Sequence, residues 1–410
     1  MPAQLLPAVE HPRRPQLRAL TGVRAVAALL VVLSHIGLPD HAPQVAHQVV
    51  ESGYVGVPLF FMLSGFVLAY SHPDLNGLRA GRATVRFYVA RIVRVMPLYW
   101  AVLIVLALQR AAEARGQSHL WQMLLGIQTW SADVRVGNQD YNGPAWSINV
   151  ELFLYLLFPL LMPAVAYIAR RWGTRGLMAV LVASFGVQLL LCLIWSVKGW
   201  ADLPAADPMS GHRWLYRNPL TRIPDFAMGL SLALLFARGV RPTTSRATLV
   251  QVGSVLAAAG ITALRPWDGA WSGTWRVLSF GALYAVPFSL LLMSLATGTG
   301  LLARILSRPL WVTLGTASYA LYITHRPIVE YMGADEIQAS GTTWGYFAIP
   351  GLVGLCLLIA EGGHRYVEQP CRRFGLMLLN RWLPAATARP HPGRTTDERC
   401  ADTAHAVTRR

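Results

Sequence analysis

The uninterrupted apolar stretches of this chain constrain its fold more than any other feature. Residues 147–169, 176–197 and 277–295 each approach the roughly 20 apolar residues that cross the hydrocarbon core of a bilayer. A water-soluble core has no use for segments this long. Over 410 residues, 54% are hydrophobic and 14% charged, a balance that excludes an ordinary soluble domain. Hydropathy predicts helices near 19–38, 55–71, 97–110, 146–168, 176–197, 222–237, 247–264, 277–297, 309–331 and 344–362. The expected fold is therefore an all-α, polytopic membrane bundle of about ten transmembrane helices.

The net charge of +16 is not a nucleic-acid signal, because it rests on 35 Arg and the single Lys198, and most of these fall between the apolar stretches. With the N-terminus in the cytoplasm, 25 Arg fall on inner segments and nine Lys or Arg on outer ones. That bias predicts both termini inside the cell. Residues 1–18 are expected as a cytoplasmic tail, 19–375 as the membrane domain and 376–410 as a disordered cytoplasmic tail. Arg13, Arg14 and Arg18 before the first apolar run read as an uncleaved signal anchor. The segment 121–130 is too short to span and is assigned to the outer interface or a re-entrant turn. Cys192, Cys356, Cys371 and Cys400 lack ligand spacing, so no metal site is expected. Much Ala, Gly and Arg with almost no Lys suits a GC-rich bacterial genome, hence a bacterial plasma membrane.

Ionisable groups inside spans are costly and are functional candidates by default. Arg24 and His35 are eleven residues apart, close to three helical turns, so they share one face. Glu151 lies near the outer end of its helix and His325 in the outer half of another, which places two His and one Glu at similar depth. Each also admits a structural reading: a snorkelling Arg24, His35 near the headgroups, an ion-paired Glu151, a packed His325. Ser64 and Gly65 are small, fall mid-membrane and permit close helix approach. Ser64 lacks a GxSxG elbow, which argues against a nucleophile. The segment 88–95, with Arg86, Arg91 and Arg94, reads as basic and amphipathic on the inner surface, suited to anchoring the phosphates of a cytoplasmic donor or simply to fixing topology.

Seven short motifs in order carry a resemblance. They are Leu17-Arg-Ala-Leu-Thr-Gly-Val-Arg24 leading to His35, Val57-Pro-Leu-Phe-Phe-Met-Leu-Ser-Gly-Phe66, and Arg86-Phe-Tyr-Val-Ala-Arg91-Ile-Val-Arg94-Val-Met-Pro97. Trp146-Ser-Ile-Asn-Val-Glu151 with Tyr155, Arg222-Ile-Pro-Asp225-Phe-Ala-Met-Gly229, Tyr319 to His325, and Val367-Glu368-Gln-Pro370 complete the set. The chain thereby resembles the membrane-bound acyltransferase 3 family over roughly residues 17–375. It departs at Pro58, where an acidic residue is commoner, at Asp225 for Glu, and at Gln369 for Arg.

The resemblance implies transfer of an acyl group from cytoplasmic acyl-CoA to a hydroxyl of a carbohydrate or of a glycosylated or polyketide secondary metabolite. Acyl-CoA enters as a substrate, and no permanently bound cofactor is implied. His35, Glu151 and Arg24 become the expected catalytic residues, and Arg86, Arg91 and Arg94 the donor-binding ones. Ser64, Tyr155, Tyr322 and His325 are expected to contact substrate. Such a reaction needs a base for the hydroxyl proton, a group to orient it and positive charge toward the donor. His35 suits the base, and Glu151 is assigned to orient it or hold the acceptor. The rival reading is a proton-coupled transporter using the same residues as a relay, but no internal repeat supports it.

Overall fold

The computed structural model describes residues 16–75, 81–113, 119–131, 141–266, 269, 271–333 and 344–384. Among these residues there are helices and turns and no strand. The helices are α1 (Arg18–Ile36), α2 (Gln44–Glu51), α3 (Gly56–Ser71), α4 (Gly81–Ala112), α5 (Leu120–Leu125), α6 (Trp146–Val197), α7 (Ile223–Ala237) and α8 (Thr244–Ala263). They continue as α9 (Ser272–Ser279), α10 (Ala282–Ala296), α11 (Leu301–Leu306), α12 (Pro309–Thr316), α13 (Ser318–Tyr331), α14 (Trp344–Gly363) and α15 (Gln369–Trp382). Arg13, Arg14, Cys400 and the tail beyond 384 lie outside the described residues.

The chain is a multi-pass membrane protein. Eight helical stretches among the described residues are long and apolar enough to cross a bilayer. One of them, α6, holds 52 residues and runs ~78 Å, more than twice a ~30 Å core. Gly173 at φ 60°, ψ −142° lies in backbone space that other residues avoid and turns α6 back on itself, so α6 supplies two crossings. Neither α12 nor α13 is long enough alone, but they meet at Ala317 and together replace the single helix expected over 309–331. Counted this way, the described residues offer ten candidate crossings.

Boundaries depart from the sequence reading in three places. The basic segment 88–95 is not a separate surface helix. It lies in the N-terminal half of α4, which runs 32 residues through Pro97. Proline opens helices readily in water, which suggested a start there, but a neighbouring helix can re-satisfy the freed carbonyl in a membrane. The helix expected over 277–297 is interrupted between Ser279 and Ala282. Finally, a π-helical turn, His364–Glu368, joins α14 to α15, so helix continues to Trp382, past the expected boundary at 375.

Packing follows from small side chains. α3 packs most extensively on α7. A methyl group on Gly65 would stand 2.3 Å from the Phe226 carbonyl oxygen, and one on Gly229 would stand 2.0 Å from that of Met62. Reciprocal glycines thus bring the two backbones together, the small-residue contact that drives helix association in lipid. Gly65 therefore has the packing role its size suggests. α1 is threaded through the centre and touches α2, α3 and α10 through α14. Half of its buried residues are Ala or Gly (Ala19, Gly22, Ala25, Ala27, Ala28), which lets so many neighbours approach. Outward-facing Val182, Leu249, Leu256 and Leu358 are exposed, as expected of surfaces solvated by acyl chains.

A buried ion pair ties α6 to α7. Arg222 lies 3.2 Å from Asp225, and both are almost wholly buried. Gln188 donates to Asp225 at 2.7 Å, while Arg222 donates to the carbonyls of Phe280 and Leu215. Asp225 thus keeps an acidic partner for Arg222 where Glu was the commoner residue.

Candidate active site

The central position of α1 sets the site. Arg24 and His35 point from one face of α1 into the bundle, and α13 meets both. Arg24 Nε donates to Ser318 Oγ at 3.2 Å. His35 Nδ1 lies 2.8 Å from the Val31 carbonyl oxygen and 3.3 Å from His325 Nε2. The two imidazoles meet edge to face, with centroids 5.0 Å apart. Because a carbonyl oxygen only accepts, His35 Nδ1 carries the proton. In the neutral ring, the lone pair is then on Nε2.

Below this pair lies a cavity of about 50 Å³, room for a few waters. Arg24, Ser64, Ser147, Glu151, Ser318, Tyr319 and Tyr322 line it with polar atoms, and Val57, Phe60, Phe61, Leu63 and Ile148 form its apolar wall. Four helices distant in sequence (α1, α3, α6 and α13) thus converge on one space. Tyr155 donates from its hydroxyl to Glu151 Oε1, one turn away. Tyr322 reaches the Pro144 carbonyl at 3.3 Å, and Tyr319 reaches that of Val95 at 2.7 Å, pinning α13 to α6 and α4.

The three residues expected at one depth are not at one depth. His35 and His325 touch, but Glu151 belongs to the lower group with Arg24 and Tyr155. The cause is where α6 begins. The turn before it is buried: Asn142 donates to the Ile323 carbonyl at 2.8 Å and Pro144 accepts from Tyr322. The start of α6 is therefore already level with residues 322–323. Glu151 lies seven residues beyond Pro144, ~10 Å further down. Among the described residues, the hydrogen-bond partner of Glu151 is Tyr155, while Val31 and His325 are those of His35. No contact supports Glu151 as the group that orients His35.

The basic trio also divides. Arg86 donates to Asn380 Oδ1 at 2.7 Å and to the Leu383 carbonyl, clamping α15 onto α4. Arg91 and Arg94 turn inward. Arg91 lies over the Phe87 and Tyr155 rings at 5.6 and 5.9 Å, and its Nε has no hydrogen-bond partner among the described residues. Arg94 stands within electrostatic range of Tyr155, Glu151, Glu368 and Tyr319, and Arg24 of Arg94 and Glu151. Glu368 is itself held by His364 at 2.8 Å. The site is thus a column. An imidazole pair stands at one end, a small cavity with one carboxylate lies in the middle, and guanidinium groups gather at the other end. Sequence reasoning missed Ser147, Ser318 and Glu368. Ser318 stands seven residues before His325, two turns along the same face, a spacing that could have identified it.

Comparison with known proteins finds relatives over most of the chain. A family profile described as "Acyltransferase domain" matches residues 17–361. Acyltransferase MdmB of Streptomyces mycarofaciens is 28% identical over 418 residues, covering 94% of this chain and 98% of that protein. A Staphylococcus aureus (strain COL) protein provisionally named O-acetyltransferase SACOL0978 is 23% identical over 89% of this chain and 59% of its own length. O-acetyltransferase OatA of Staphylococcus aureus (strain NCTC 8325 / PS 47) is 21% identical over 88% of this chain and 58% of its own. No solved structure matches.

Proposed function

The chain belongs to the acyltransferase family defined by that domain, and from this premise we propose that it O-acylates an alcohol with a cytoplasmic acyl-CoA. It is a membrane enzyme that transfers acyl groups. The donor and the class of acceptor are our reading, and the polar column carries it. The His35 imidazole, with its lone pair on Nε2, stands at one end, and the Arg91 and Arg94 guanidinium groups gather at the other.

In this reading, the phosphates of CoA bind near Arg91 and Arg94 and the pantetheine arm runs past Arg24. Eleven residues separate Arg24 from His35, ~16 Å along α1. Arg24 is therefore too far to touch the reacting carbonyl and serves the donor arm instead. The acceptor hydroxyl gives its proton to His35 Nε2 as its oxygen attacks the thioester carbonyl carbon. The tetrahedral intermediate collapses, the C–S bond breaks, and the departing thiolate takes the proton from the imidazolium. The products are an ester and free CoA. Exclusion of water from the cavity favours alcohol over hydrolysis. Ser64, Ser147 and Tyr322 line the cavity together with Arg24, and in this reading the donor arm passes them on its way to His35. Glu151, held by Tyr155, offsets the guanidinium charge and contacts the acceptor or the donor arm.

The acceptor is a hydroxyl of a carbohydrate or of a glycosylated or polyketide metabolite, and the enzyme resides in a bacterial plasma membrane with both termini cytoplasmic. The distribution of Arg supports that orientation. The test is acetyl-CoA with purified protein and lipid, polysaccharide and metabolite extracts of a deletion strain. Free thiol should appear together with a product heavier by one acyl group. Substrate movement across a vesicle with no acyl-CoA consumed would decide for the transporter instead.

A further inference from the structure

The contact between His35 and His325 carries more than proximity. His325 is fully buried, and its Nδ1 lies 2.7 Å from the Tyr322 carbonyl oxygen. That carbonyl fixes the proton on His325 Nδ1, and a neutral imidazole has only one N–H, so the lone pair of His325 is on Nε2. The same reasoning, applied to Val31, fixes the proton of His35 on Nδ1. The 3.3 Å contact is therefore His35 Nδ1–H facing the lone pair of His325 Nε2. The opposite assignment would set two lone pairs against carbonyl oxygens. Val31 alone holds the ring poorly, because in a helix its carbonyl also accepts the backbone N–H of His35.

We propose that His325 is a positioning residue: it accepts a hydrogen bond from His35 Nδ1 and so holds the ring in the tautomer and orientation that present Nε2 to the acceptor hydroxyl. When His35 takes the proton, His325 Nε2 faces the charge-bearing N–H and stabilises it. No relay continues beyond His325, since its Nδ1–H faces the Tyr322 carbonyl oxygen, which takes no proton at neutral pH. α13 thus serves α1 at two points on one face, Ser318 to Arg24 and His325 to His35, seven residues apart. This replaces the substrate contact expected of His325. It rests on the reading of His35 as the base.

The test uses full-length protein in lipid nanodiscs, with acetyl-CoA as donor and a deletion-strain extract as acceptor. His325→Leu removes the acceptor atom. His325→Gln places an amide oxygen near the former Nε2, whereas His325→Asn holds its amide too close to the backbone to reach His35. Losing the partner that orients a metal-bound imidazole costs about 10–100-fold, and a loss of the same order is expected here. We expect Leu and Asn to lower kcat by that factor with the donor KM within about twofold, and Gln to recover most of the loss. The Gln and Asn pair keeps the comparison decisive if the Leu variant does not fold. Equal kcat for Gln and Asn, or wild-type kcat in a folded Leu variant, overturns the proposal. His35→Ala separates the two readings. If it is inactive while every His325 variant is fully active, only the positioning role fails; if it is fully active as well, the base assignment fails with it.

Discussion

Replacing Arg94 with Ala is expected to weaken the donor, whereas replacing Arg86 is not, although the two look alike in the sequence. Arg94 stands within electrostatic range of Glu151 and Tyr155, while Arg86 is spent on Asn380 and Leu383. A hydrogen bond to a charged group contributes about 1.5–3 kcal/mol. At 1.36 kcal/mol per factor of ten, losing one phosphate contact should raise the apparent KM for acyl-CoA by roughly 10- to 150-fold. Screening by salt reduces this little, because the site is inside the bundle. The contact is made before and during the reaction, so kcat should change less than KM. Initial rates of thiol release, with acetyl-CoA varied at fixed acceptor extract, measure both constants. Arg86→Ala should lower the melting temperature by loosening α15 yet leave the donor KM within about twofold. An unchanged donor KM in correctly inserted Arg94→Ala, or an equal rise in Arg86→Ala, would refute the assignment of phosphate to the inward-facing guanidiniums.

Two further outcomes concern stability. Asp225→Ala should destabilise by about 3–5 kcal/mol, because it strands the buried guanidinium of Arg222; Asp225→Leu combined with Arg222→Met should be markedly less damaging, both read by thermal unfolding in detergent. His212 lies outside the spans, in the π-helical turn His212–Arg217, and burial, with smaller contributions from Arg217 and Arg276, pushes its imidazole down to about 3. Its folded-state value is depressed, so its contribution is complete above the unfolded value near 6.5 and is lost as pH falls through the window toward 3. Between pH 7 and 5, the loss is roughly 2 kcal/mol, and His212→Phe should flatten that part of the stability profile.

The all-α membrane fold was legible because it depends on composition and length, which a bilayer reads directly. The pairing of Arg24 with His35 was legible for a similar reason: it lies on one straight helix, and periodicity along α1 suffices. What failed depends on docking between helices. The depth of Glu151 was misjudged because the sequence does not reveal that Asn142 and Pro144 are buried against residues 322–323. The His35–His325 contact likewise joins residues 290 apart, a distance that periodicity cannot bridge. The division of the basic trio was partly within reach. At 3.6 residues per turn, Arg94 and Arg91 lie about 80° and 140° around α4 from Arg86, but only if α4 is known to be continuous through Pro97. The break at Gly173 was correctly placed by the charged 170–175 segment, although the structure runs helix on both sides almost without a loop.

The central claim is that His35 Nε2 removes the acceptor's proton, and the rate of acyl transfer in His35→Ala tests it most directly. The variant should reach the membrane in normal amount and melt near the wild-type temperature, since His35 is only partly buried. Its kcat should fall by roughly 10²–10⁴, the usual cost of losing a general base, with the donor KM nearly unchanged because Arg91 and Arg94 remain. His41 and His47 lie beyond the end of α1 and cannot substitute. A His35→Ala enzyme that releases CoA and forms product at the wild-type rate would contradict the account.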